Sequence, residues 1–264
     1  HNSIREALKK FHNSKVGLEM IYNADLPAKT GLGSSSAFSV SLIHTLHCLN
    51  NIMVSKRKIA MDAIELEQKI LKENIGSQDQ FTCSFGGLNM IKFNHNSIEV
   101  SPIIINRKRI DYLFDHCLLF YTRSKRFADK VEKDKFKNFS KIKSHLNEIY
   151  DIAIEAKNLI YSDKNFIKDF GKLMHQNWIL KKQLSSLVSN KKLDDIYQLA
   201  LSKGALGGKL LGAGGGGFFL FIVPNKKAKH NLKDSLTKKG LPNINFDIDF
   251  TGSQIIYHKE SDDF

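Results

Sequence analysis

The stretch Pro27-Ala28-Lys29-Thr30-Gly31-Leu32-Gly33-Ser34-Ser35-Ser36-Ala37 constrains this chain more than any other. After it, Phe38, Leu42, Leu46 and Leu49 recur at spacings of four and three, which predicts one face of an amphipathic helix. Before it, the run Val16 to Ala24 alternates apolar residues at Val16, Leu18, Met20 and Tyr22, which predicts a strand. A helix that opens on Gly-x-Gly and three serines has first-turn N–H groups without partners and a positive dipole end. Together these make a site for an anion, phosphate above all. Glycine at 31 and 33 allows positive φ and close approach of a ligand to the backbone. A well-capped helix after a glycine turn is the plainer alternative, although a cap needs one serine and not three.

Two familiar phosphate loops do not fit. A Walker A loop requires Gly-x-x-x-x-Gly-Lys-Ser/Thr, which is absent, and a dinucleotide fingerprint requires glycine where Ser36 stands. Gly212, Gly214 and Gly217 do have Gly-x-Gly-x-x-Gly spacing. Their order is wrong, because a predicted helix (Asp194 to Lys203) precedes them and a predicted strand (Phe218 to Val223) follows.

With 264 residues, 42% hydrophobic and 25% charged, the chain has material for one large or two modest cores. No apolar run is long enough to span a bilayer and no signal-peptide pattern opens the chain. Cys48, Cys83 and Cys117 are widely separated and odd in number, which points to reduced thiols in a cytoplasmic protein. The formal net charge of +13 is concentrated in two lysine-rich tracts, Arg123 to Lys143 and Lys226 to Lys239. Solvated helix faces account for such tracts, and so does attraction of polyanionic small molecules. Nucleic-acid binding finds no supporting motif.

Further candidates lie along the chain. Lys56 to Asn74 predicts a second helix, apolar at Ile59, Ala63, Leu66 and Ile70. Glu67 there has Ala63, Ile64, Ile70 and Leu71 as its neighbours at three and four residues, whereas Glu65 has polar company. A carboxylate so placed is hydrogen-bonded to another helix, reaches water, or binds a cation. Asn74 to Phe81, closed by Phe85-Gly86-Gly87, predicts a polar loop around Asp79 that feeds a strand from Leu88 to Phe93. Asp79 either caps that turn or points into a pocket. Strands are expected at Val100 to Ile105 and Tyr112 to Tyr121. The cations and hydroxyls of Thr122-Arg123-Ser124-Lys125-Arg126 suit a substrate phosphate or a solvated turn equally well. Helical segments follow over Lys125 to Ser162 and Lys164 to Val188, with His175, Trp178 and Lys182 on one face. Packing is the plainer role for His175. Asn231 to Lys238 predicts a helix, and Phe246 to Phe250 and Ile255 to His258 predict closing strands.

The order Pro-x-x-x-Gly-Leu-Gly-Ser-Ser-Ser-Ala resembles the second signature motif of the GHMP small-molecule kinases, which include galactokinase and homoserine, mevalonate and phosphomevalonate kinases. Lys209-Leu210-Leu211-Gly212-Ala213-Gly214-Gly215-Gly216-Gly217 resembles the third motif. Between them, Glu67, then Gly76-Ser77-Gln78-Asp79-Gln80 and Phe85-Gly86-Gly87, resemble the metal-ligand helix and catalytic-Asp loop. The Gln-Asp-Gln form and the His175 to Lys182 segment are similar to the branch that phosphorylates heptose 7-phosphate and fucose.

The resemblance implies an α+β, two-layer architecture with a ribosomal-S5-like N-terminal domain over 1–110 and a ferredoxin-like C-terminal domain over 111–264. It also implies that the strands which open the family's first domain are not represented here. The implied activity is ATP- and Mg²⁺-dependent phosphorylation of the anomeric hydroxyl of a sugar phosphate, foremost D-glycero-D-manno-heptose 7-phosphate. The alternatives are an unphosphorylated sugar such as fucose or galactose, and a non-catalytic ligand-binding member. In the implied site Gly31, Leu32, Gly33, Ser34, Ser35 and Ser36 cradle the ATP phosphates. Ser35 and Glu67 hold Mg²⁺, and Asp79 is the general base. Arg126, Lys209, Gly212, Ala213, Gly214 and Gly215 meet the acceptor. No nucleic-acid or membrane partner is expected, and the oligomeric state stays open, with a homodimer among the options.

Overall fold

A computed structural model of the chain describes residues 1–12, 17–25, 31–124, 128–162 and 166–259. The chain divides into two compact units. One comprises His1–Ala28, Gly33–Pro102 and Ile248–Phe264, the other Lys29–Leu32 and Ile103–Asp247. The boundary expected after residue 110 falls inside a helix of the second unit.

The first unit begins with α1 (Asn2–Phe11) and α2 (Ser34–Leu49). Then come α3 (Lys56–Ile64), a π-helical turn (Glu65–Ile70) and α4 (Gln78–Phe85). Ser55 caps α3 by accepting from the Lys58 N–H at 3.2 Å. Of the expected stripes, Leu42, Leu46, Ile59, Ala63 and Leu66 are buried in one core with Ala7, Val40 and Ile43, while Phe38, Leu49 and Ile70 are only partly buried against it. Phe81 of α4, with Ala60 and Ile64, packs on Ile91, Ile98 and Val100 of an antiparallel hairpin, β1 (Asn89–Phe93) and β2 (Ile98–Pro102). Residues 249–253 close against the far end of α4. Gly87 N–H donates to the Asp249 carbonyl at 2.6 Å and Ser253 N–H to the Ser84 carbonyl at 3.2 Å.

In the second unit, α5 (Arg107–Asp115) leads into β3 (Cys117–Tyr121). Helices α6 (Ala128–Lys137), α7 (Phe139–Tyr161), α8 (Phe166–Gln183) and α9 (Lys191–Ser202) follow. The hairpin β4 (Gly207–Leu210) and β5 (Phe218–Ile222), α10 (Lys226–Lys238) and β6 (Asn243–Ile244) complete it. The sheet runs β4-β5-β3-β6, with every adjacent pair antiparallel. Strand alternation separates two cores. Leu118, Phe120, Leu210, Phe219 and Phe221 join Trp178 and Tyr197, while Cys117 and Ile222 join Leu113, Phe166 and Ile167. No helix among the described residues is long and apolar enough to cross a membrane.

Several sequence expectations are corrected. Val16 lies outside the described residues, and 17–25 form no strand. Alternation alone supplies no ladder, and no described strand pairs with this segment. The polar loop expected around Asp79 is the first turn of α4. Tyr112 belongs to α5, where Ile110 and Leu113 are buried at helical spacing, so the strand starts only at Cys117. Lys125 to Ser162 contains two helices that part at Asn138, not one. Neither Phe246 to Phe250 nor Ile255 to His258 is a strand. Phe246 packs on the Phe114 ring instead, and Ile256 is almost wholly exposed.

Candidate active site

The start of α2 has the form its glycines and serines allow. Gly31 has φ +90° and Gly33 has φ +73°, both left-handed values that side chains disfavour. The Gly33 carbonyl accepts the first helical bond, from Ala37 N–H at 2.8 Å. The amides of Ser34, Ser35 and Ser36 precede the ladder and have no acceptor within the helix. Asp79 stands opposite. A Cβ built on Gly33 would lie 3.4 Å from Asp79 Cβ, Cγ and Oδ2, so the carboxylate rests directly on the loop glycine. Asp79 sits in the first turn of α4.

Glu67 is 1% exposed, and it lies on the π-helical turn. There Leu71 N–H bonds to Leu66 O and Glu73 N–H to Glu67 O, both at 2.9 Å. Such an under-wound register rotates a side chain off the regular helical face and often marks a functional position. The carboxylate accepts from Ser39 Oγ at 2.7 Å, from Ser36 Oγ at 3.1 Å and from Gln80 Nε2. Burial pushes its pKa above the usual carboxylate value, although the bonds from Ser39, Gln80 and Ser36 pull the other way. Cys83, one turn beyond Asp79, feels both acids. Burial, then Asp79, then Glu67 raise its thiol to about 12.

The groups around Glu67 include its own carboxylate and the hydroxyls of Ser36 and Ser39, hard oxygens that suit a small divalent cation. Gln80 Oε1 is buried without a hydrogen-bond partner among the described residues, as an acceptor awaiting a donor would be. No group of three or more His, Cys, Asp or Glu side chains that could hold a metal exists among the described residues. A cation here would therefore take one carboxylate and draw its remaining oxygens from hydroxyls, water and phosphate. Of the serines, Ser36 and Ser39 contact Glu67, while Ser35 is exposed on the same first turn.

The acceptor candidates of the second unit gather on the β4–β5 hairpin. Gly212, Gly214 and Gly215 have φ of +68°, +117° and +78°. A Cβ on Gly214 would come within 2.8 Å of Val188 Cα, so backbone packs on backbone there. The Gly215 amide donates to Val188 O at 2.8 Å. Lys181, buried, donates to Leu210 O at 2.7 Å and Gly212 O at 2.5 Å, and Lys135 reaches Ala213 O at 3.3 Å. Burial, then the nearby Lys135 charge, lowers Lys209 to about 8. Arg126 lies outside the described residues. The His175 to Lys182 segment is packing. His175 Nδ1 meets Tyr197 Oη at 2.8 Å, Trp178 is fully buried, and Lys182 pairs with Asp194 at 3.1 Å.

The structure thus brings Gly33, Ser36, Glu67 and Asp79 together in the first unit. Sequence reasoning missed Ser39 and Gln80 as partners of Glu67. Ser39 was signalled by its place one helical turn after Ser36. Gln80 had no signal while its segment read as a loop, since only in a helix do adjacent residues face about 100° apart.

Comparison with known proteins adds independent findings. The family model described as GHMP kinases N terminal domain matches residues 2–87, and that of GHMP kinases C terminal matches residues 156–242. A D-glycero-alpha-D-manno-heptose 7-phosphate kinase of Campylobacter jejuni is 34% identical over 239 residues, covering 88% of this chain and 68% of the relative. The L-fucokinase/L-fucose-1-P guanylyltransferase of Bacteroides fragilis is 28% identical over 89% of this chain and 25% of its own length. The crystal structure of a D-glycero-D-manno-heptose 1-phosphate kinase from Bacteroides thetaiotaomicron superposes with a TM-score of 0.69 at 24% identity, covering 89% of this chain and 66% of that one. The chain therefore spans about two thirds of the heptose kinases it matches and a quarter of the bifunctional fucokinase.

Proposed function

The chain belongs to the GHMP kinases, and from that premise we propose that it transfers the γ-phosphoryl group of ATP to the anomeric hydroxyl of a sugar phosphate, foremost D-glycero-D-manno-heptose 7-phosphate. The observation that carries this reading is the Asp79 carboxylate resting on Gly33 at the mouth of the α2 anion site. Phosphoryl transfer asks a protein for positioning and charge neutralisation more than for covalent chemistry. The amides from Gly31 to Ser36 hold the ATP phosphates against the helix dipole. Asp79 takes the proton of the sugar hydroxyl as its oxygen bonds to the γ-phosphorus and the bond to ADP breaks. Ser35 and Glu67 would hold a Mg²⁺ brought in with ATP, which would supply neutralisation of the phosphate charge.

A phosphorylated acceptor is supported by the 34% identical heptose 7-phosphate kinase and by the net charge of +13. Lys209, Gly212, Ala213, Gly214, Gly215 and Arg126 are the proposed acceptor contacts. Phosphorylation of fucose is the second reading, favoured by the fucokinase similarity. ADP release across a panel of sugars and sugar phosphates, with ³¹P NMR of the product, separates the two. The expected product is a heptose 7-phosphate carrying a new anomeric phosphate. Equal efficiency on free fucose would transfer the assignment to the second reading.

A further inference from the structure

We propose that Gln80 is a metal-site positioning residue: one end of its amide fixes the Glu67 carboxylate, and the other, Oε1, accepts from a water on the cation held there. The inference rests on the reading that Glu67 binds Mg²⁺, and it adds a residue that neither the motifs nor the comparisons assign.

Gln80 is fully buried. Its Nε2 donates to Glu67 Oε2 and also reaches the Gly76 carbonyl at 3.3 Å. With Nε2 on Glu67 Oε2, the other end of the amide, Oε1, faces away from that oxygen. Oε1 is buried with no partner among the described residues, and a buried acceptor of this kind is costly unless a donor arrives. Mg²⁺ dehydrates reluctantly and keeps several waters, each of which is a strong donor beside its carboxylate ligand. A cation on Glu67 therefore completes the hydrogen bonding of the amide.

The helix geometry gives this pairing a second consequence. Asp79 and Gln80 are consecutive in the first turn of α4, so their side chains diverge by about 100°. One lies against Gly33 and the other against Glu67. A single helical turn thereby ties the proposed base to the proposed metal ligand. Other side chains would fail in Gln80's place. Glutamate would set carboxylate against carboxylate, lysine would compete with the cation, and a hydrocarbon would leave Glu67 held only by hydroxyls of α2.

The test is equilibrium binding of ATP to the intact protein, in EDTA and across a Mg²⁺ titration, for wild type, Gln80→Met and Glu67→Gln. Outer-shell partners of metal ligands typically contribute about 10- to 100-fold to metal affinity. Gln80→Met should raise the half-saturating Mg²⁺ by about that factor while ATP binding in EDTA changes by less than about twofold. A packing role would weaken both together, and either that result or a Mg²⁺ curve superimposed on wild type overturns the proposal. Glu67→Gln reads the underlying premise separately, because an unaltered Mg²⁺ curve in that variant removes the Glu67 site itself. If Gln80→Met does not fold, Gln80→Asn, which keeps an amide too short to span the gap, is held to the same criterion.

Discussion

Gly252→Ala should be among the most damaging small substitutions in the chain. Gly252 has φ +65°, where an alanine costs about 1–2 kcal/mol. The added Cβ would lie 2.4 Å from the Ser84 carbonyl oxygen and 2.6 Å from both Gly86 N and the Phe85 carbonyl carbon. All three are backbone atoms, so no rotamer change relieves the overlap. Separation of the two segments would break the Gly87–Asp249 and Ser253–Ser84 bonds, worth about 1 kcal/mol each. It would also strain the Lys56 ammonium, which bridges the Phe85 carbonyl at 3.0 Å and the Thr251 carbonyl at 2.5 Å. The expected loss is about 3–4 kcal/mol, a large share of an ordinary domain's stability. Gly240→Ala is the control, since Gly240 has φ +78° but open space where its Cβ would go. Urea unfolding of both variants isolates the overlap from the backbone strain. If Gly252→Ala is no less stable than Gly240→Ala, the tight seat of residues 249–253 on α4 is wrong.

Three further outcomes follow from the charges. Lys209 has a folded-state pKa of about 8, below the ordinary lysine value of 10.5. Its charged form is therefore disfavoured by folding, a cost present in full below pH 8 and relieved as pH rises to 10.5. Lys209→Met should stabilise the protein at pH 7 by up to about 3 kcal/mol, with the gain vanishing above pH 10.5 in denaturation series, while sugar phosphate binding weakens. Cys83 and Cys117, both raised to about 12, should resist iodoacetamide at pH 8, where roughly one thiol in ten thousand is ionised. Peptide mapping that finds either rapidly alkylated would contradict the half-buried setting of Cys83 or the burial of Cys117. Finally, the KM of the phosphorylated acceptor should climb with salt more steeply than that of its dephosphorylated analogue, because screening acts on the extra charge.

The helices α2 and α3 were legible from apolar spacing, which found Leu42, Leu46, Ile59, Ala63 and Leu66 of the first core but not Val40 and Ile43. Glu67 stood out for the same reason, as an acid among apolar helical neighbours. The π-helical turn that carries it was not legible, since an extra backbone residue leaves no mark in side-chain periodicity. The Asp79 segment misled because Gln78, Asp79 and Gln80 look like loop residues by composition. Burial of Gln80, Phe81 and Ser84 shows a short helix with one inward face. In 17–25 and the tail, alternation was present without a partner strand, and a strand is a property of the pair. For the hairpin glycines, the close approach to Val188 depends on a distant segment that no local pattern reveals.

The most direct test of the account is turnover by Asp79→Asn with ATP and heptose 7-phosphate, alongside ATP affinity. The substitution keeps the shape against Gly33 and removes the base, which typically contributes about 10²–10⁴-fold. ATP binding should stay close to wild type while turnover falls by about two decades or more. Normal ATP binding with near wild-type turnover would show that Asp79 only caps α4 and that another group takes the proton.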